Sequence, residues 1–248
     1  ECVVEQRQES DMTKKQMIAG IIPKQHLIPL LFSFTFNMAV YAGARVIAGE
    51  WRHYNIESSL DGRIPLWTPS AFIYLGCYLF WIVNYIWMAR QEKKEMCRFF
   101  AADFISRTVC FVIFLVFPTT NTRPVIQPDG FWNQVMLFVY QMDAADNLFP
   151  SIHCLVSWFC YIGLRGRKEV PRWYRGVSCL LAVLVCISTL TTKQHVIIDV
   201  FGGVLLAEVC YRIARYPVVL QSYEKVLDVI NDKIFTKGNT GCRVKRRQ

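Results

Sequence analysis

His195 and Asp199 stand four residues apart, and His153 follows Pro150-Ser151-Ile152. Positions four apart share one face of a helix. The Asp199 carboxylate can therefore accept the Nδ1–H of His195 and leave its other ring nitrogen ready as a nucleophile. A second imidazole, His153, can act as general acid on a leaving oxygen. Proline is favoured in the first helical turn, and the free N–H groups around Ser151 and Ile152 form a ready site for an anion such as phosphate. The chemistry that suits these residues is phosphoryl transfer through a histidine. The four histidines, His26, His53, His153 and His195, show no zinc-motif spacing.

Such a set works only if the chain brings together two segments 42 residues apart in sequence. Of the 248 residues, 53% are apolar and 19% charged, and the mean hydropathy is positive; together these indicate a membrane protein. The net charge of +9 falls in blocks between apolar runs, so it reports membrane orientation and not a nucleic-acid partner. Six apolar segments read as spans: 27–48, 70–89, 99–118, 150–165, 176–192 and 196–214. A span needs about 20 helical residues, so the fourth and fifth read as short, which suits helices that stop below the outer surface around a wet pocket. Lys and Arg beside the spans divide 21 to five in favour of the side holding both termini, so both termini are expected to be cytoplasmic. His153 opens the fourth span and His195 precedes the sixth, which puts both at the outer face.

The expected fold is thus an all-α, six-span transmembrane bundle. Residues 1–26 form a cytoplasmic segment, 27–216 the membrane domain and 217–248 a basic cytoplasmic tail that begins as an amphipathic helix. The connection 119–149 contains Phe131, Trp132, Val135, Met136, Phe138 and Val139 at helical spacing, an amphipathic helix on the membrane surface with Asp129 as its N-cap. It reads as an interfacial anchor or as a gate for lateral entry of a lipid. Trp51, Trp67 and Trp132 read as interface-belt residues. Residues 1–11 are polar and lack the apolar core of a signal peptide, and Met12, followed by Lys14 and Lys15, fits a natural start. The ten cysteines include seven inside apolar runs and no C-x-x-C pair, so they read as small apolar residues. Asp103 with Arg107, and Glu208 with Arg212, read as structural ion pairs within the third and sixth spans. His53 reads as a surface residue, and Asp143 and Asp146 as loop or capping carboxylates with headgroup contact as the second reading.

The order P-S-x-H, here Pro150-Ser151-Ile152-His153, then S-x6-H-x3-D, here Ser188 through His195 to Asp199, resembles the phosphatidic acid phosphatase type 2 superfamily of lipid phosphatases and phosphotransferases. That family's first motif, K-x6-R-P, is answered only by Arg123-Pro124. By the resemblance, His195 is the nucleophile that forms a phosphohistidine, and Asp199 orients it. His153 protonates the leaving group and then activates water. Arg123 and Ser151 at the start of the fourth helix hold the phosphoryl oxygens, and no metal or other cofactor is implied. Val116 stands where the family has lysine and Thr189 where its third motif has arginine; Lys193, alone in an uncharged turn, is a candidate replacement. The degenerate pattern resembles the branch near inositolphosphoceramide and sphingomyelin synthases. The expected partners are a phosphorylated lipid and the bilayer of the cell membrane. Three readings stand: a lipid phosphate phosphatase, a phosphotransferase with an alcohol acceptor, and a non-catalytic binding or transport protein. Substrate identity and oligomeric state are open.

Overall fold

A computed structural model of the protein describes residues 22–236. The expected N-terminal segment before residue 22 and the basic run after residue 236 lie outside the described residues. Hydrocarbon offers no partner for backbone N–H and C=O groups, so apolar runs settle into helices that satisfy them internally. Among the described residues these are α1 (Lys24–Ala48), α2 (Ala71–Ala89), α3 (Lys93–Val116), α4 (Phe131–Met142), α5 (Ile152–Leu164), α6 (Arg172–Thr191), α7 (Ile197–Ile213) and α8 (Pro217–Asn231). Among the described residues, four helical stretches are long and apolar enough to cross a membrane: Lys24–Ala48, Thr68–Ala89, Lys93–Val116 and Arg172–Thr191.

α5 and α7, with 13 and 17 residues, occupy the fourth and sixth expected spans and are shorter. The fifth is not short: α6 has 20 residues because it starts at Arg172, directly after the extended Pro171. Arg172, Trp173, Tyr174 and Arg175 fit a first helical turn, although their polarity hides them from a hydropathy reading. Met38 and Val46 on α1, Phe72 and Leu79 on α2, Leu180 and Ile187 on α6, and Phe201 and Leu205 on α7 are all exposed, whereas Asn84, Ser106 and Ser157 are buried. Exposed apolar side chains, with these polar ones turned into an otherwise apolar core, are the arrangement a lipid solvent imposes.

α5 packs against α2, α6 and α7, and α3 packs against α1 and α7. In this core Arg107 Nη2 donates to Asp103 Oδ1 at 2.9 Å, as the four-residue spacing predicts. Ser33 and Tyr85 donate to the same carboxylate at 2.5 and 2.7 Å, so the charge sits in a hydrogen-bonded cage. The second expected pair is different. Glu208 accepts two bonds from Arg165, at 2.6 and 2.9 Å, and one from Trp158 Nε1 at 3.0 Å. Arg165 follows the end of α5, which lies alongside α7, and from there its fork engages both carboxylate oxygens.

The two long connections near the histidines are tied together. β1 (Tyr54–Asn55) pairs in parallel with β2 (Thr119–Thr120), and Trp67 N–H donates to Thr191 O at the end of α6, 2.9 Å. The expected helix in the third connection is present as α4, with one correction. Its N-cap is Gly130, at φ 78°, and Asp129 instead accepts a side-chain bond from Asn133 at 2.9 Å. Glycine adopts that left-handed backbone without strain. α4 buries Met136 and Val139 against Ala71, Tyr74 and Ile126, while Phe131, Phe138 and Met142 stay exposed. It thus has one apolar face for the protein and another facing out. The eight cysteines among the described residues are free thiols, seven of them buried.

Candidate active site

Two backbone contacts determine how the chemistry-bearing segments meet. Ser151 N–H donates to Asp199 O at 3.1 Å, which joins the start of α5 to the start of α7. Gly203, one turn further along α7, lies so close to α5 that a Cβ there would stand 2.5 Å from Ser151 O and 3.1 Å from Leu155 N. Only glycine permits that approach. The Ser151 N–H is therefore not among the free donors at this helix end, and Pro150 precedes the cap instead of sitting in the first turn. Ser151 itself is the N-cap: its Oγ accepts from Cys154 N–H at 3.3 Å, and the residue is fully buried.

His195 sits in the turn between α6 and α7. The Thr189 carbonyl accepts the N–H groups of both Gln194 and His195 at 3.0 Å, and Lys193 takes the left-handed conformation, φ 57°, that the turn needs. His195 Nδ1 is 3.2 Å from Asp199 Oδ2, which also accepts Val196 N–H at 3.0 Å. Burial works against a charged ring here. The hydrogen bond and negative charge of Asp199 outweigh it, so His195 ionises above its ordinary range.

His153 faces His195 with ring centroids 5.8 Å apart. Tyr74 stacks on it at 4.5 Å, with Trp81 at 5.5 Å and Tyr78 at 6.2 Å. Its Nε2 is buried without a partner. Orphaned buried donors or acceptors are rare, and this one belongs to a residue singled out for chemistry.

Arg123 reaches the same region. Its guanidinium donates to Asp143 O at 2.6 Å and to the side-chain oxygen of Gln194, the residue before His195. It lies over the Tyr140 ring at 4.7 Å, and its Nε has no partner. Lys193 donates to Asp61 O at 2.9 Å. It also lines, with His195, Glu57, Asp61 and Asn121, a cavity of about 310 Å³ at this end of the bundle. Both positions without the expected cation have a structural account. Val116 is 76% exposed, so a lysine there would face outward. Thr189 is fully buried and donates to Cys186 O at 2.8 Å.

Two carboxylates carry contacts that the sequence does not signal. Asp143, taken as a loop residue, accepts from Tyr41 OH at 2.7 Å and Tyr74 OH at 2.5 Å. Burial favours its neutral form, yet the facing His153, the two tyrosine hydroxyls and His195 hold it below the usual carboxylate range. Tyr74 therefore touches both Asp143 and His153. Its position 69 residues from Asp143 left no local signal in the sequence. Asp146 pairs with Arg45 at 3.2 Å. Asp61 is the second: Oδ1 accepts Ile197 N–H at 2.7 Å, and Oδ2 takes Ser58 N–H and Oγ at 2.8 and 2.5 Å. Burial opposes its charge, but these bonds win and lower its ionisation range. His26 and His53 lie apart from the set, on Ala89 O and Trp51 O.

The arrangement offers an oriented imidazole, a second imidazole facing it, one nearby guanidinium and a fixed negative charge behind the second ring. Among the described residues, no group of three or more His, Cys, Asp and Glu side chains could hold a metal ion. A family model described as the PAP2 superfamily matches residues 48–213, which include His153, His195, Asp199, Arg123, Asp143 and Tyr74. No curated protein and no solved structure matches the chain.

Proposed function

The chain belongs to the PAP2 superfamily, and on that premise we propose that it is a multi-pass membrane enzyme that releases phosphate from a phosphorylated lipid through a phosphohistidine. The observation that carries this is the pairing of His195 with Asp199 at 3.2 Å while His153 faces it across 5.8 Å. In the first half-reaction the free nitrogen of His195 attacks phosphorus, the bond to the leaving oxygen breaks, and His153 gives that oxygen its proton. Asp199 accepts the Nδ1–H throughout and stabilises the charge that develops on the ring. In the second half, His153 takes a proton from water, the oxygen attacks phosphorus, and the N–P bond breaks. Phosphoryl transfer depends mainly on position and charge, and Arg123, Lys193 and the hydroxyl proton of Ser151, whose N–H is already taken by Asp199 O, are the groups we assign to the phosphoryl oxygens. Tyr74 links Asp143 to His153, donating to the carboxylate and stacking on the ring.

The reading includes six spans with α5 and α7 as the short ones, cytoplasmic termini and chemistry at the outer face. Charge bias along the sequence supports that topology, and the exposed Phe131, Phe138 and Met142 of α4 suit a helix lying in the interface. A transferase reading rests on the sparse cations: Arg123 and Lys193 are the candidates here, where the family pattern supplies more. This keeps the likeness to inositolphosphoceramide synthase-like proteins in play. The purified protein, supplied with lipid phosphates and pyrophosphates, is expected to release phosphate and to yield an acid-labile phosphoenzyme, both absent in His195→Ala. Turnover only when an inositol, sugar or lipid alcohol is added assigns the transferase. Neither product nor phosphoenzyme, with no vanadate effect, would leave a binding or transport role.

A further inference from the structure

A recess of about 410 Å³ opens at the end of the bundle opposite the histidines, between the start of α3, the turn from α5 to α6 and the end of α7. Five cations line it: Arg98, Arg165, Arg167, Lys168 and Arg215. Carboxylates account for two of them. Glu208 holds Arg165 with both oxygens, and Arg167 lies 2.9 Å from Glu95 and 3.4 Å from Glu169. Arg98 is left 3.5 Å from Glu95, a carboxylate that Arg167 already engages, and its Nε is buried without a partner. Among the described residues, Lys168 and Arg215 form no ion pair. Tyr211 provides a shelf, with the guanidinium carbons of Arg98 and Arg215 lying 4.5 and 5.8 Å from its ring centroid.

Basic loops beside membrane spans are ordinary orientation signals. A solvated arginine, however, hydrates its N–H groups; Arg98 keeps one buried and orphaned while its guanidinium lies over the Tyr211 ring. Guanidinium groups converging from separate elements are an arrangement that recognises phosphate. We propose that this recess is a binding site for a phosphate-type anion, supplied by the headgroup of an anionic phospholipid or by free inorganic phosphate. Occupancy links α3, the α5–α6 turn and α7, so the ligand stabilises the fold by mass action.

The test uses the full chain carrying His195→Ala, so that phosphate at the histidines gives no turnover. Thermal unfolding in neutral detergent is followed while inorganic phosphate or short-chain phosphatidylglycerol is titrated, with short-chain phosphatidylcholine as control. A saturable rise in Tm is expected, and in Arg98→Gln with Arg215→Gln the midpoint should weaken by about tenfold or more, the worth of one lost charge-assisted contact. Arg215→Gln alone, at an exposed position, serves if the double variant does not fold. A response to phosphate assigns the free anion, and a response to the glycerol lipid alone assigns the headgroup. No saturable response to either probe, or equal midpoints in variant and parent, overturns the proposal.

Discussion

Replacing Asp199 by Asn isolates the charge behind the nucleophile. In the fully buried site, Oδ2 accepts from both His195 Nδ1 and Val196 N–H. The Val196 donor demands an oxygen at that position, so the amide should turn its Oδ1 there and keep accepting the histidine proton. The tautomer is preserved and only the negative charge is lost. A hydrogen bond to a charged group contributes about 1.5–3 kcal/mol, which converts to about 10- to 160-fold in rate. Locking the wrong tautomer in a related hydrolase arrangement costs about 10⁴-fold, so the size of the loss tells the two outcomes apart. Rapid-quench measurement of phosphoenzyme formation is the assay. The acid limb of that rate reports His195 losing its proton to become a nucleophile. Since Asp199 raises that ionisation, the limb should move to lower pH in the variant. An unchanged rate, with the limb unmoved, would show that the negative charge of Asp199 contributes nothing to the nucleophile. A loss near 10⁴-fold in folded protein would refute the amide orientation argued from Val196.

Gly203→Ala places a methyl group 2.5 Å from the Ser151 carbonyl, so thermal unfolding should show a loss of about 1–3 kcal/mol, the usual range for overpacking, together with reduced kcat. Gly202→Ala meets only the Phe149 ring, at 2.5 Å, and should cost less; the reverse order would be evidence against the close approach. Asp143→Asn should slow turnover and also flatten the acid side of the stability profile. A carboxyl lowered by folding contributes stability that is fully present above about pH 3.9 and lost as pH falls through its folded value. Identical acid denaturation of variant and parent would contradict the charge assigned to Asp143.

The hydropathy pattern was sufficient to find the apolar helices, and the i, i+4 spacing sufficient to pair His195 with Asp199 and Asp103 with Arg107. These are local relations, written into one turn of chain. The juxtaposition of His153 with His195 came from span counting and the motif, and the structure brings the rings together. What stayed hidden depends on contacts between distant elements. Asp143 is tied to tyrosines 69 and 102 residues away. Asp61 caps a helix 136 residues further on. Glu208 chose Arg165 over Arg212 because the end of α5 lies beside it, which no spacing rule reports. The start of α6 at Arg172 was hidden for a simpler reason, since arginine, here Arg172 and Arg175, is a good helix former that a hydropathy scale scores against.

The bond from Ser151 N–H to Asp199 O and the bare Gly203 against α5 have a bearing on how such a protein diversifies. The separation of its two imidazoles is set by main chain against main chain, as a machinist's gauge block sets a gap, and not by the side chains that fill the surroundings. Residues of α2, α4 and the outer loops can therefore change to suit a different headgroup or tail without resetting the distance over which the phosphoryl group travels. Substrate preference is free to drift on this frame while the reaction stays in register.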